Sequence, residues 1–269
     1  MWHNELSAND KDLQLAIREK GKLPQHIGII MDGNGRWAER QGLSRYEGHR
    51  EGIESVRDIV KASSQLGIEF LTLYSFSIEN WNRPVNEVNG LMQLLELYLR
   101  KEVAELNENK VRIKTIGKTS ALPPSVQQLL YNSIELTRKN KGLTLTLALS
   151  YSGRWDIVRA LQVLALDVRS GKLSPEDITE ELFASYLQTR DMPDVDLMIR
   201  TSGELRLSNF LLWEMAYGEI FITEKLWPDF RREDLYEALI DYSKRERRFG
   251  KTSKQISNDK FDFSKIWHK

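Results

Sequence analysis

Short apolar runs alternate with longer amphipathic segments along most of the chain. The short runs are rich in Ile, Leu, Thr and aromatic residues and predict β-strands at 26–31, 70–76, 111–117, 143–150, 196–201 and 219–223. Between them, apolar residues recur at helical spacing and predict helices at 48–66, 87–108, 123–139, 154–168, 208–217 and 232–248. Strands that alternate with helices form βαβ units. The pattern therefore predicts an α/β fold with a central, mostly parallel six-stranded sheet flanked by helices.

The domain organisation follows from what the pattern lacks. The 269 residues contain no internal repeat, low-complexity stretch or Pro/Gly-rich linker, which favours a single domain over two. We expect a helical segment over residues 1–20, the main domain over 21–250 and a polar C-terminal tail over 251–269.

Composition and charge exclude several classes of protein. The chain carries 39 Lys and Arg against 39 Asp and Glu, so its formal net charge is zero, which argues against a nucleic-acid partner. It contains no cysteine, which excludes disulfides, thiolate zinc sites and a cysteine nucleophile and is typical of a reducing compartment. No apolar run reaches the roughly 18 residues of a membrane span, and the first residues are polar and acidic, unlike a signal peptide. We therefore expect a cytoplasmic protein.

Polar segments rich in Arg and Asn follow three of the predicted strands. They cover residues 32–36, 77–83 and 202–206. Ligands of parallel α/β sheets bind beyond the carboxyl ends of the strands. The opposite strand ends are not enriched in this way, so we expect the chemistry at the carboxyl edge of the sheet.

The first of these segments reads Asp32-Gly33-Asn34-Gly35-Arg36. Two glycines one residue apart allow the backbone to approach a ligand and to point N–H groups at it. An arginine at the end of such a turn suits a phosphate, and Asp32 could hold Mg²⁺ against it. The alternative is a tight turn with a solvated arginine, and the spacing fits neither a Walker loop nor a dinucleotide fingerprint. As a turn residue, Asp32 is expected to support little packing.

Arginines gather around the same edge. Arg45 and His49 lie at the start of a predicted helix, where anions are attracted. Arg200 lies in an apolar strand pattern, where an unpaired charge is costly, so we expect a bound dianion beside it. Ser208 is a candidate N-cap of the helix predicted after it. More arginines converge here than one phosphate needs, which suggests two diphosphates: Arg36, Arg45, Arg83, Arg200 and Arg206.

Two predicted elements are unusually apolar, the helix at 87–108 and the strand at 143–150. Simple core packing is one explanation. The functional alternative is a lining for a long apolar ligand. Beside a diphosphate-binding edge, such a lining indicates an isoprenoid or lipid diphosphate.

The candidate residues lie in five motifs: HIGIIMDGNGRWA (26–38), RYEGHREG (45–52), LTLYSFSIENWNRP (71–84), DLMIRTSGELRLSNFLLW (196–213) and EIFITEKLWPDF (219–230). In this order they resemble the motifs of the cis-prenyltransferases, most closely the bacterial members that make undecaprenyl diphosphate. The resemblance covers residues 26–250 and implies a homodimeric α/β fold with a hydrophobic tunnel. It also implies Mg²⁺-dependent, sequential addition of isopentenyl diphosphate to farnesyl diphosphate, with each new double bond cis. The implied product is undecaprenyl diphosphate, the lipid carrier precursor of cell-wall synthesis.

The resemblance also implies roles for individual residues. Asp32 matches the catalytic, Mg²⁺-binding acid, Glu219 the second acid at the metal, and Asn80 the proton acceptor. The implied allylic diphosphate pocket comprises Gly33, Asn34, Gly35, Arg36, Arg45 and His49, with Arg83 close by. The implied isopentenyl diphosphate pocket comprises Arg200, Arg206, Leu207 and Ser208. The implied substrate shell around them comprises Trp37, Ser77, Ile78, Glu79 and Trp81.

Three further features bear on assembly and product. The family's C-terminal R-x-G matches Arg248 and Gly250, and the resemblance implies that it reaches into the partner subunit's site. Leu205 stands where relatives often carry His or Gln, which affects one polar contact near the second diphosphate. The small Ser75, and Leu143 as the far end of the tunnel, favour a long product. Because a growing tail buries more apolar surface with each unit, we expect transient membrane contact during product release.

Two other functions remain open. One is a non-catalytic partner subunit of a hetero-oligomeric prenyltransferase, although such subunits lack the catalytic acid and arginines that this chain has. The other is a carrier or sensor that binds a lipid diphosphate without turnover. An assay with farnesyl diphosphate, isopentenyl diphosphate and Mg²⁺ separates both from an enzyme.

Overall fold

One all-parallel sheet organises the part of the chain that the structure, a computed structural model, describes: residues 2, 6–19 and 21–245. Its strands are β1 (His26–Ile30), β2 (Phe70–Ser77), β3 (Arg112–Ile116), β4 (Thr144–Tyr151), β5 (Leu197–Arg200) and β6 (Glu219–Ile222). Their order across the sheet is β3-β4-β2-β1-β5-β6. The prediction of a six-stranded parallel sheet is confirmed, and every strand lies within a residue or two of its predicted position.

Helices cover both faces of this sheet. They are α1 (Ala8–Glu19), α2 (Asn34–Arg40), α3 (Arg45–Leu66), α4 (Val85–Glu108), α5 (Pro124–Thr137), α6 (Gly153–Arg169), α7 (Glu180–Tyr186) and α8 (Arg232–Lys244). Within the described ranges, α2 and α7 were not expected from the hydrophobic pattern. No helix in these ranges is both long and apolar enough to span a bilayer.

The helix predicted at 208–217 is wrong, because this segment forms a series of turns. Ser208, Asn209 and Leu211 have positive φ angles of 48°, 63° and 43°, which a right-handed helix does not allow. The backbone and side-chain oxygens of Asn209 accept hydrogen bonds from the first residues of α6, at 2.7 Å from Gly153 N and 2.9 Å from Arg154 N. The segment is therefore held by α6, and Ser208 caps no helix.

The core lies on both sides of the central strands, as is usual for parallel sheets. Ile27 and Ile29 of β1 belong to the main core cluster, which includes buried residues of α3, α4, α5 and α8. Ile30 and Met198 point to the other face, where a smaller cluster forms. With both faces covered, the carboxyl ends of β1, β2 and β5 open at one edge, between the starts of α2, α3 and α4.

Two glycines of α3 bring α2 close to this edge. A Cβ atom on Gly48 would lie 2.1 Å from the backbone oxygen of Asn34, and one on Gly52 would lie 2.3 Å from its Oδ1 atom. The start of α3 is fixed by a capping box, in which Ser44 and Glu47 exchange hydrogen bonds. The notch made by the glycines thus sets the position of the Asp32–Arg36 segment relative to α3.

Candidate active site

The main cavity, about 860 Å³, opens at the carboxyl edge and extends inward between the sheet and the helices α3 and α4. Its mouth is polar and its interior is apolar. Predicted site residues at the mouth are Asp32, Asn34, His49, Ser77, Glu79, Asn80, Arg83, Arg200, Arg206 and Ser208. Apolar residues of the interior include Ile53, Val56, Leu91, Leu94, Leu95 and Leu147.

A smaller cavity of about 260 Å³ adjoins the main one. The two share Asp32, Asn34, His49 and Arg83 among their lining residues. The remaining lining brings together most of the pocket expected for an allylic diphosphate, namely Gly33, Gly35, Arg36 and Arg45. Residues from β1, α2, α3 and the segment after β2 therefore meet around one space.

A buried ion pair joins the first and third polar segments. Arg200 Nη2 lies 2.9 Å from Asp32 Oδ2, and the Arg200 side chain is only 3% exposed. Its Nη1 atom also donates to Ser208 Oγ at 2.6 Å and to the Arg206 carbonyl oxygen at 2.5 Å. The expectation that Arg200 needs a bound dianion to balance its charge is therefore wrong, because Asp32 supplies the counter-charge.

Asp32 is ionised at neutral pH. Partial burial alone would raise its pKa, but the hydrogen bond and charge of Arg200 and the charge of Arg36 outweigh this and lower the pKa. Arg36 Nη2 lies 3.5 Å from Asp32 Oδ1. Asp32 is thus a carboxylate held between two guanidinium groups, and it supports more of the fold than a turn residue would.

Carboxylates also accompany the more exposed arginines. Arg36 contacts Glu204 at 3.4 Å and donates to the Ser202 carbonyl at 3.2 Å, and Arg206 contacts Glu204 at 2.5 Å. The sequence analysis missed Glu204, although it lies in one of the polar segments after the strands. A diphosphate that binds these arginines would replace carboxylate oxygens with phosphate oxygens.

His49 lies between positive charges and is partly buried. Burial, followed by the charges of Arg83 and Arg45, lowers its pKa to about 4, despite the opposing charge of Glu87. Glu87 contacts Arg83 at 2.9 Å and Arg45 at 3.7 Å. At neutral pH His49 is therefore a neutral hydrogen-bonding group, and the positive charge comes from the arginines.

The segment after β2 forms a short 3₁₀ turn, Ile78–Asn82. The Asn80 side-chain oxygen accepts a hydrogen bond from Ser77 N at 3.1 Å, which orients the carboxamide at the cavity mouth. Glu79 accepts from Asn209 Nδ2 at 2.9 Å, and Trp81 donates to Ser150 Oγ at 2.9 Å. These bonds tie the turn to the end of β4 and to the segment after β5.

Several predicted residues lie outside the cavity walls. Neither of the two cavities is lined by Trp37, Ile78, Trp81 or Leu207. Leu143 is buried in the main core at the residue before β4, so the structure does not place it in the cavity, which ends nearer Leu147. Its role as the far end of a tunnel is not supported. Ser75 does line the cavity, as expected.

Glu219 is far from Asp32 within one chain. It is the first residue of β6 and is in register with Leu197 and, through it, with Ile27, five residues before Asp32. Five residues of strand correspond to about 16 Å. Glu219 is instead paired with Arg245 at 2.8 Å. A single chain therefore does not bring the two predicted metal ligands together.

Other predicted and missed residues complete the site. Arg248 and Gly250 lie outside the described residues. Arg154, at the start of α6, lines the main cavity and was not expected. The rule applied to the other strands would have found it, because Arg154 directly follows β4. Leu205 is exposed at the surface.

Mg²⁺ fits this site only together with a substrate. Within the described residues, no group of three His, Cys, Asp or Glu side chains could hold a metal ion. Mg²⁺ at phosphate-binding sites commonly takes one or two carboxylates, with phosphate oxygens and waters as its other ligands. Asp32, ionised and at the junction of the two cavities, suits that arrangement.

The structure thus combines a parallel α/β sheet, arginines and a carboxylate at its carboxyl edge, and an apolar cavity behind them. A sequence model of the prenyltransferase family described as "Putative undecaprenyl diphosphate synthase" matches residues 30–250, so the chain belongs to this family.

Individual relatives agree with the family. An isoprenyl transferase of Chlorobaculum tepidum is 57% identical over 94% of this chain and 96% of its own length. The ditrans,polycis-undecaprenyl-diphosphate synthase ((2E,6E)-farnesyl-diphosphate specific) of Aliivibrio fischeri is 48% identical over 87% of this chain and 91% of its own length. The crystal structure of lavandulyl diphosphate synthase from Lavandula x intermedia, in complex with dimethylallyl diphosphate, matches with a TM-score of 0.83 and 41% identity over 85% of this chain and 98% of that chain.

Proposed function

We propose that this protein adds isopentenyl diphosphate repeatedly to an allylic diphosphate, farnesyl diphosphate, and forms a long-chain cis-polyprenyl diphosphate. The product we propose is undecaprenyl diphosphate, the precursor of the lipid carrier for cell-wall synthesis, made in the cytoplasm. The observation that carries this proposal is the continuity of the site. The smaller cavity with Arg36 and Arg45 shares Asp32 and His49 with a larger cavity that has a polar mouth and an apolar interior.

Each diphosphate has a suitable set of partners. The allylic diphosphate would lie against Arg36, Arg45 and the Gly33–Gly35 backbone, and its tail would enter the apolar interior of the main cavity. The isopentenyl diphosphate would lie against Arg200, Arg206 and Ser208, which line the same mouth. This division remains our proposal, and it accounts for the number of arginines at one edge.

The reaction needs little covalent chemistry from the protein. The allylic C–O bond breaks and the terminal alkene carbon of isopentenyl diphosphate (C4) forms a C–C bond to the allylic carbon. One proton then leaves C2 of the isopentenyl group, and the double bond moves to C2=C3. Arg36 and Arg45 stabilise the negative charge that grows on the departing diphosphate. Asn80, held by Ser77 N, positions the isopentenyl group so that a nearby oxygen takes the proton.

Asp32, together with the diphosphate, would hold Mg²⁺, which would supply Lewis-acid stabilisation of the leaving group. The protein's own contribution is to keep Asp32 ionised and fixed. Arg200 does this through its buried pair with the carboxylate. The two acids predicted for one metal ion lie apart within a chain, so Asp32 is the acid that each chain contributes to its own metal site.

The decisive experiment incubates the purified full-length chain with farnesyl diphosphate, labelled isopentenyl diphosphate and Mg²⁺, and sizes the products. Polyprenyl diphosphates are expected, and an Arg200→Met variant serves as the matched control that loses them. A chain that binds farnesyl diphosphate but gives no product would be a carrier, a sensor or a non-catalytic subunit. Dimethylallyl diphosphate as a second primer tests whether a shorter product is preferred.

We further propose that the protein is a homodimer with composite sites, and that it contacts membranes transiently when it releases product. Mixing Asp32→Ala with Arg248→Ala chains tests the dimer. If each site uses Arg248 of the partner, random exchange restores about a quarter of wild-type activity, because half the dimers contain one intact site. The control mixture, Asp32→Ala with Arg206→Ala, should recover nothing, because both residues line the cavity of the same chain. Equal behaviour of the two mixtures would exclude a composite site.

A further inference from the structure

The inner end of the main cavity is formed by one tyrosine ring. Tyr98 lines the main cavity and also a separate cavity of about 280 Å³ on its other side. Within the described residues it is the one side chain that lines both. The residue is only 7% exposed, so its ring is a wall between two spaces and not a surface group.

The chemistry of α4 changes at this ring. Leu91, Leu94 and Leu95 precede Tyr98 on one stripe of the helix and line the apolar cavity. The next two positions on the stripe, Glu102 and Glu105, line the separate cavity. An apolar tail that grows along α4 therefore meets carboxylates directly behind Tyr98.

The facing helix α3 changes at the same depth. Ile53 and Val56 line the main cavity, whereas Arg57 lines the separate one. Arg57 bridges the two helices, with its Nε and Nη2 atoms 2.9 and 2.7 Å from Glu102 Oε1. Separating this pair to admit an alkyl chain would leave the Glu102 carboxylate, whose side chain is only 12% exposed, without its cation. The ion pair is thus a polar barrier behind an aromatic one.

The far side of the separate cavity is covered by Trp2. Its indole N–H donates to Glu105 Oε1 at 2.5 Å, and its carbonyl oxygen accepts from Gln65 Nε2 at 2.6 Å. Trp2 is buried and belongs to the main core cluster. The space behind Tyr98 is therefore lined by groups of both helices and by Trp2.

We propose that Tyr98, supported by the Arg57–Glu102 pair, is the floor that stops the growing polyprenyl tail and so determines product length. This inference rests on the proposed function and replaces Leu143 as the far end of the cavity. Each carbon added to the tail gains apolar contact until the tail reaches the ring. Beyond the ring, further growth requires displacement of Tyr98 and exposure of the tail to Arg57 and Glu102.

Product length is the direct test. Tyr98→Ala joins the two cavities and is expected to lengthen the main product by at least one isoprene unit, whereas Tyr98→Trp is expected to shorten it. Tyr98→Phe keeps the ring and should keep the length. Tyr131→Ala, which removes an exposed ring from α5, is the matched control and should change nothing. Wild-type product length in both the alanine and the tryptophan variants would overturn the proposal.

A binding measurement tests the floor without catalysis. The probe is a series of straight-chain alkyl phosphonates of increasing length. Their binding is measured by the rise in the melting temperature of the full-length chain. Each added CH₂ should tighten binding by about four-fold until the chain reaches Tyr98, and then the gain should stop. In Tyr98→Ala, or in Tyr98→Leu if the alanine variant fails to fold, the gain should continue to longer chains. If binding stopped tightening at the same alkyl length in wild type and variant, Tyr98 would not be the floor. If that length shifted in the variant but the protein made no prenyl product, only the proposed function would be refuted.

Discussion

The Asp32–Arg200 pair gives the sharpest test of how the site is built. Asp32→Asn keeps the shape of the side chain but removes the charge that compensates a guanidinium buried to 3% exposure. Arg200 then retains only the neutral oxygens of Ser208 and Arg206. Breaking a fully buried pair costs about 3–5 kcal/mol. Because the Asp32 side chain is 29% exposed, we expect a smaller loss, about 2–3 kcal/mol.

Thermal unfolding measures this loss. For a chain of this size, a loss of 2–3 kcal/mol corresponds to a fall of roughly 4–12 °C in melting temperature. The control is Asp191→Asn, which breaks a contact of 3.3 Å between Lys114 and an exposed carboxylate. Exposed pairs contribute at most about 1 kcal/mol, so the control should melt within about 4 °C of wild type. Activity should fall in Asp32→Asn and persist in Asp191→Asn.

The pH dependence supplies an independent check. The pKa of Asp32 is lowered in the folded state, so its stabilising effect is present above the unfolded pKa, near 3.8, and is lost as the pH falls through the lower folded value. The difference in melting temperature between wild type and Asp32→Asn should therefore be constant near neutrality and should shrink once the pH falls below the unfolded pKa of Asp32. A variant as stable as wild type at pH 7 would refute the view that Asp32 holds Arg200 in place.

Other residues of the site give further predictions. Burial lowers the pKa of His49 to about 4, so wild type should lose stability as the pH falls from about 6.5 to about 4, and His49→Gln should lose less over that range, by melting temperature at each pH. Arg206→Ala should raise the KM for isopentenyl diphosphate by about 10- to 150-fold, and Arg45→Ala should raise the KM for farnesyl diphosphate by a similar factor. If each variant weakened both substrates equally, the division into two diphosphate pockets would be contradicted. Gly48→Ala should destabilise the fold by about 1–3 kcal/mol because its Cβ would strike the Asn34 oxygen, whereas Gly90→Ala, which meets only a movable Tyr46 ring, should melt close to wild type.

The sheet was predictable because parallel strands buried on both faces leave continuous apolar runs, and all six are present. The location of the site at the carboxyl edge was predictable from the same topology, and this is why Asp32, Arg200 and Arg206 were expected to lie together. The helix at 208–217 was not predictable as turns, since its backbone is held by contacts with α6, more than 50 residues away in sequence. Local periodicity does not record such long-range hydrogen bonds.

Leu143 and Glu219 show a different limit. Glu219 was assigned by motif and Leu143 by its place on an apolar predicted strand. Neither signal gives the direction in which a strand carries a residue from the site. In a parallel sheet the first residue of β6 and the residue before β4 lie at the amino edge, away from a site built at the carboxyl ends. The strand bounds alone would have raised this objection for both residues.

The carboxylates of the site explain why its arginines can be positioned before any substrate binds. A buried guanidinium without a partner would be costly, so the ligand-free fold needs a counter-charge for Arg200, and carboxylates also hold the more exposed arginines in place. Asp32 supplies it for Arg200, Glu204 for Arg36 and Arg206, and Glu87 for Arg83 and Arg45. Much of the ordering cost of the long side chains is thereby met during folding and not during binding. Under the proposed function, a diphosphate would gain affinity only as far as it binds the arginines better than these carboxylates do. Its second phosphate and the Mg²⁺ we propose would supply that advantage.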